Sequence, residues 1–495
     1  MFRRPDARDD ARRLAAIRGL AAALVLLAAT AAHAHEDSRY EQRFDRTVPF
    51  KGGRVTIDNR FGDVTVRTGS GSDVQIRAVI RASDEALGKQ IRIIPVVSNG
   101  ITVRTHFPES QGQRNVSWSV DYNVTIPANA PVTVKNRFGG IDVRGIGPGG
   151  QFENAQGSIS MRDARGAQTL QNSFGSISVD RHKGDVVLRN QNGSISVDGI
   201  DGNADVTNRF GSISVSDVAG DASVKNSNGS LSVNDVEGAL TVVNAFATVN
   251  VSTVGKAASI TNSNGRVDVA NVNGPATINN SFGTVSASAT GPLTISGQNS
   301  KVTASDVRGP AAINTTFGSV TVSGVRGPAA ISNANGSITA KDVQGMLAAS
   351  TRYGSVTATG VRGNVAVENA NGSVTLKGIT GNVKVRTSFA SAFVDDVSGA
   401  VDIQNQNGAI SVSGLRGSGC HPVVLRTNFS PVKVSLPAGA SYDVNARTSF
   451  GSINTAYPVN ATSASEQTLV GTIGRGGCRM DLVNQNGNIT IAKEQ

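Results

Sequence analysis

Large side chains are scarce in this sequence. Phe, Trp and Tyr together supply 4% of it and Trp occurs once, which leaves too little bulk for a deep globular core. The chain instead has 56 Gly and many small and β-branched residues, a composition suited to thin, regularly stacked β layers. Cysteine is nearly absent. Cys420 and Cys478 are the only two, and with His421 beside one of them they have neither the spacing nor the ligand count of a zinc site. In an oxidising compartment they are expected to form one structural disulfide. No nucleophile motif, phosphate loop or calcium-binding nonapeptide stands out, so no catalytic residue, metal or cofactor is expected.

A comfortable membrane span is also lacking. The apolar run from Gly19 to Ala32 follows Arg3, Arg4, Arg12, Arg13 and Arg18 and precedes "AHAHED", the pattern of a cleaved signal peptide over residues 1–34. The mature chain is therefore expected to be exported, to the periplasm or cell surface, with no transmembrane segment. Removing six Arg and three acidic residues lowers the formal charge from +10 to +7. Cleavage after Ala32 would expose His33-Ala34-His35, a copper(II)-chelating terminus; a chance His near the cut is the favoured reading.

What the sequence has in abundance is repetition. With the Gly of each Phe-Gly or Asn-Gly word as position zero, sixteen marks run from 139 to 408, and fourteen of the fifteen steps are eighteen residues. The step from Gly283 to Ser300 is one short. Within a unit the apolar residues alternate in two short runs, such as Ile195 and Val197, then Ala204 and Val206, so each unit carries two strands. A propeller of 36-residue blades is disfavoured because the eighteen-residue unit repeats by itself. The fold class expected is all-β, a parallel β-solenoid (β-helix) with 18-residue rungs, capped by N- and C-terminal β regions. The organisation expected is a cap over residues 35–135, a solenoid over 136–429, about 75 Å long at the strand spacing, and a second cap over 430–495.

Stacked rungs place like residues in columns. Position seven is mostly Val or Ile, and position fifteen is Asn without a break from Asn154 to Asn280, which predicts a ladder of side-chain amides, each donating to the next. At position seventeen, ring and amide alternate: Phe174, Asn192, Phe210, Asn228 and onward to Phe389 and Asn407. An internal packing spine is expected of these rings, in preference to an exposed row for sugar stacking.

The words "GDVTV", "VTIPANAPVTVKNRFGGIDV", "LPAGASYDVNARTSFGSI" and "LVNQNGNITIAKE", with the repeated "NGSI", resemble the bacterial putative-adhesin family of β-strand-repeat proteins. The resemblance extends over essentially the mature chain. It implies an exported β-solenoid and brings no catalytic residues.

Few residues depart from the pattern. Asp395 and Asp396 could suggest a glycosidase pair, yet Asp at position six recurs at Asp217, Asp235, Asp306 and Asp342 and fits a turn. His182 occupies the otherwise apolar position seven and reads as a tolerated irregularity. Arg308, Arg326, Arg362 and Arg416 share position eight and could contact a polyanion or glycan, although keeping the edge soluble is the preferred role. The function expected is an exported, non-enzymatic adhesin or cell-envelope scaffold presenting a repetitive surface to glycans or envelope components; the alternative is a carbohydrate-active lyase or hydrolase. Nucleic acid is not an expected partner.

Overall fold

The computed structural model describes residues 40–109, 116–416 and 419–494. The expected signal peptide and the His33-Ala34-His35 terminus lie outside them. The described chain is almost entirely β, a parallel solenoid of about 17 turns at the 18-residue spacing. Each residue pairs with its equivalent one rung on: Ile195 with Ile213, then Ile213 with Leu231, and on the second strand Val186 with Ala204, then Ala222.

The core is a set of self-stacking columns. Ile195, Val197, Ile200, Ala204 and Val206 of one rung are all buried, as are their counterparts above and below. Position six turns the chain between the first strand and the corner. It takes positive φ throughout, at 55° in Asp217, 58° in Asp235, 54° in Asp342 and 61° in Asp396, with Gly at 199, 324, 360, 378 and 414. That conformation favours Gly and, among other residues, Asp or Asn.

At position zero Gly is the usual residue, replaced only by Ala247, Ser300 and Ala390 among the sixteen marks. Gly193 has φ +128°, and a Cβ there would lie 2.2 Å from the carbonyl oxygen of Gly175 in the preceding rung. Glycine is required both by the dihedral and by the closeness of stacked backbones.

The short step is absorbed at a corner. Val272 pairs with Thr290 at the normal spacing, while Ala276 pairs with Leu293 one residue early, so the turn between them lacks a residue and the columns beyond stay in register. Arg308 bridges the shortened corner: its guanidinium donates to the carbonyls of Val272 at 2.6 Å and Ala289 at 3.3 Å, and its Nε to that of Thr290 at 3.4 Å.

Both ends are covered by antiparallel strands. Tyr40–Pro49 pairs antiparallel with Asp73–Ala82, which pairs antiparallel with Trp118–Pro127; Arg92–Val97 pairs antiparallel with Gly100–His106. At the far end the chain order and the stacking order part. Arg479–Asn486 stacks directly on Val423–Phe429, and Tyr442–Phe450 stacks on its other side. Thr468–Ile473 and Val459–Ala464 then extend the edge antiparallel. Such pairing removes raw solenoid ends that would otherwise template association. Cys420 and Cys478 are joined by a disulfide across this region.

Candidate functional site

The position-fifteen column decides which way the rings face. Asn154, Asn172, Asn190, Asn208 and Asn226 are buried and in register, but their amides do not form the expected chain. Each donates instead to the position-zero carbonyl of its own rung, as in Asn172 Nδ2 to Gly157 O at 2.8 Å and Asn190 Nδ2 to Gly175 O at 2.9 Å. Asn208 also reaches the carbonyls of Phe210 and Gly211. The amide satisfies turn carbonyls that would otherwise be buried unpaired. A single amide-to-amide contact, Asn262 to Asn280 at 3.2 Å, is of the expected kind among the described residues.

Because the backbone curls around that amide, strand alternation stops at position fifteen and position seventeen is turned outward. The rings are accordingly exposed, contrary to the internal spine expected from sequence. Relative exposure is 54% for Phe174, 42% for Phe210, 52% for Phe246, 47% for Phe282 and 49% for Phe317, then 54%, 61%, 49% and 70% for Tyr353, Phe389, Phe429 and Phe450. Register holds along the row: Phe282 pairs with Asn299, Asn299 with Phe317, Phe317 with Asn335, and Asn335 with Tyr353. Rings thus recur every second rung, about 9.6 Å apart at the strand spacing. Burying a Phe stabilises by about 1.5–3 kcal/mol relative to leaving it exposed, so folding alone does not account for a long row of half-exposed rings.

Beside the C-terminal rings runs a groove of about 870 Å³, between the position-fourteen and position-sixteen side chains of seven rungs from Asn314 to Asn428. Its floor is the buried Asn and Thr column, Thr315, Asn333, Thr351, Asn369, Thr387 and Asn405. Arg352, Arg386 and Arg426 line it, against a single carboxylate, Glu368. Arg386 donates to Gln404. Among the described residues neither Arg352 nor Arg426 takes part in an ion pair. Position fourteen continues in register from Arg426 to Val483 and then Arg447. Sequence reasoning passed over these arginines, although the word Arg-Thr-x-Phe at 386–389, 426–429 and 447–450 was there to be read.

The residues singled out from sequence lie elsewhere. Arg308, Arg326, Arg362 and Arg416 share one exposed corner. Arg308 is spent on backbone carbonyls, and Arg416 pairs with Asp396 at 2.9 Å. Gln344, Thr380 and Ser398 interrupt the column. Asp395 accepts from Ser413 at 2.9 Å and lies 3.5 Å from Lys377, so the Asp pair is engaged in contacts between rungs.

His182 is sealed in the position-seven column, 1% exposed, in register with Ile200, and neither ring nitrogen has a hydrogen-bond partner. Burial pushes its pKa below the ordinary value. The backbone at Asp185, Gly166 and Ala164 pulls the other way without forming a well-shaped bond. The corner hollow beside it is ringed by Asp163, Arg165, Arg181, Lys183, Asp201 and Asp217. A depressed folded pKa means that the neutral ring is favoured on folding, so its stability is present above the unfolded pKa of about 6.5 and lost as pH falls below it. His182→Ile is expected to remove that slope and to stabilise at neutral pH by about 1 kcal/mol, the cost of orphaned polar atoms being lifted. Melting curves from pH 7.5 to 5 check this; equal slopes in both proteins would contradict it.

Residues 328–492 match the family model described as Toastrack DUF4097, so the resemblance to the adhesin-like β-strand-repeat family stands, carried by the C-terminal third of the chain. Two solved structures are similar. One is described as a putative cell adhesion protein from Clostridium sporogenes ATCC 15579, with 11% identity over 33% of this chain and 100% of that one and a TM-score of 0.23. The other is described as a putative adhesin from Bacteroides fragilis NCTC 9343, with 11% identity over 74% of this chain and 97% of that one and a TM-score of 0.15. No curated protein matches the chain. Among the described residues no helix is long and apolar enough to cross a membrane.

Proposed function

We propose that the chain is an exported, non-enzymatic β-solenoid that serves as an adhesion or cell-envelope scaffold module, binding glycans or envelope components along its repetitive face. Residues 1–34 are then the removed signal, and residues 35–135 and 430–495 the caps. The observation that carries this reading is the solvent-exposed, in-register row of rings. The Arg-rich leader and the Cys420–Cys478 disulfide support an oxidising destination. The residues a lyase or hydrolase would call on are otherwise employed: Asp395 and Asp396 hold neighbouring rungs together, and His182 is shut away from solvent.

The test is a screen of the purified mature protein against bacterial and host glycans, with turnover assays on acidic polysaccharides run in parallel. Saturable binding without cleavage is the expected result. Cleavage would overturn the non-enzymatic reading, and silence in both assays would remove the glycan-binding one.

A further inference from the structure

The rings and the arginines of the C-terminal half share one period. At position fourteen Arg386 lies in the rung of Phe389, Arg426 in that of Phe429 and Arg447 in that of Phe450, whereas the rung of Tyr353 has Ser350 there and carries Arg352 at position sixteen. The adjoining rungs present Glu368, Gln404 and Val483 in that column. One exposed ring and one exposed cation therefore recur together every second rung, about 9.6 Å apart, over three successive repeats.

A linear β-linked polysaccharide has matching chemistry. Its sugars present apolar C–H faces that stack on aromatic rings, and consecutive sugars alternate in orientation, so one face recurs once per disaccharide. Two rungs of the solenoid span about the length of such a disaccharide. An arginine fork binds a carboxylate by paired, charge-assisted hydrogen bonds. Resting on the binding reading above, we infer that this row is a binding site for an unsulfated, linear β-linked polysaccharide carrying one carboxylate per disaccharide. Glu368, one rung from Arg386 in the same column, disfavours a polymer charged on every sugar, because the second carboxylate would meet it.

The test uses the full mature chain and hyaluronan oligosaccharides of four disaccharides, which alternate a uronate with a neutral sugar through β linkages. The expected result is saturable binding, weakened at least about tenfold by Phe389→Ala/Phe429→Ala and by Arg386→Gln/Arg426→Gln. Arg326→Ala/Arg362→Ala, on the other corner, should leave it unchanged. All six positions are exposed, so circular dichroism and melting should match the parent. Cello-oligosaccharides, oligogalacturonates and chondroitin sulfate of equal length should each bind more weakly. Retention of affinity in the ring and arginine variants would overturn the site. Binding of other glycans with hyaluronan ignored would overturn the ligand class and leave the adhesion reading standing, whereas silence on every glycan would remove both.

Discussion

Gly193→Ala is expected to destabilise the middle of the solenoid by about 2–5 kcal/mol, from a strained positive φ together with a backbone clash. The dihedral is +128° and the new methyl would lie 2.2 Å from Gly175 O, on a rung that can shift only by opening its ladder to the next. Gly439→Ala isolates the first of these effects. That residue has φ +79° but open space around its Cβ direction, so its loss should be about 1 kcal/mol. Because each rung touches only its neighbours, the damage at 193 should be local. Hydrogen exchange should accelerate in Ile177–Lys183, Ile195–Asp201 and Ile213–Val218 before it does so at the ends. Equal losses in the two variants would show that stacking distance is not what demands glycine.

Reducing the Cys420–Cys478 bridge is expected to loosen the C-terminal end by up to about 4 kcal/mol, the loop-closure entropy for a separation of 58 residues. The bond ties the segment leaving the last regular rung to the start of Arg479–Asn486, the strand inserted between Val423–Phe429 and Tyr442–Phe450. Cys478 is buried, so its replacement also disturbs packing. Cys420→Ser/Cys478→Ser, or thiol treatment of the parent, should raise proteolysis across residues 430–494 and promote self-association as strand edges open. The rungs around Gly193 should keep their protection. A melting profile unchanged by reductant would contradict this account of the bridge.

Much of this architecture is legible in the sequence because stacking imposes it. A rung must present the same residue classes to the rungs on either side, so the eighteen-residue period, the Val and Ile column ending in Leu415, and the corner Asp or Gly at position six all appear as repeats. What periodicity does not disclose is the side of the backbone on which a column lies once a corner interrupts the strand. Counting by twos from Ala204 and Val206 puts position seventeen inward. The buried Asn at position fifteen cancels that by drawing the turn around its amide, as Asn208 does with Phe210 O and Gly211 O. Eight Asn in a column suggested amides bonded to each other, whereas the unpaired carbonyls of the tight Gly turns proved the stronger demand.

The candidate site was hidden by the same uncertainty. With the rings taken as internal, Arg386, Arg426 and Arg447 were scattered surface charges, while the more regular-looking Arg308, Arg326, Arg362 and Arg416 drew the eye. Arg308 marks a corner made short by one missing residue. The three overlooked arginines stand one per exposed ring, and the period they share with the rings becomes meaningful only when both face solvent.

The most direct measurement is the affinity of the mature protein for hyaluronan oligosaccharides of one to six disaccharides. Three ring-and-arginine rungs in register predict that affinity climbs with each disaccharide up to the third and then levels, with Phe389→Ala/Phe429→Ala flattening the climb. An affinity independent of length, or one rising identically in parent and variant, would contradict a two-rung binding repeat on this face.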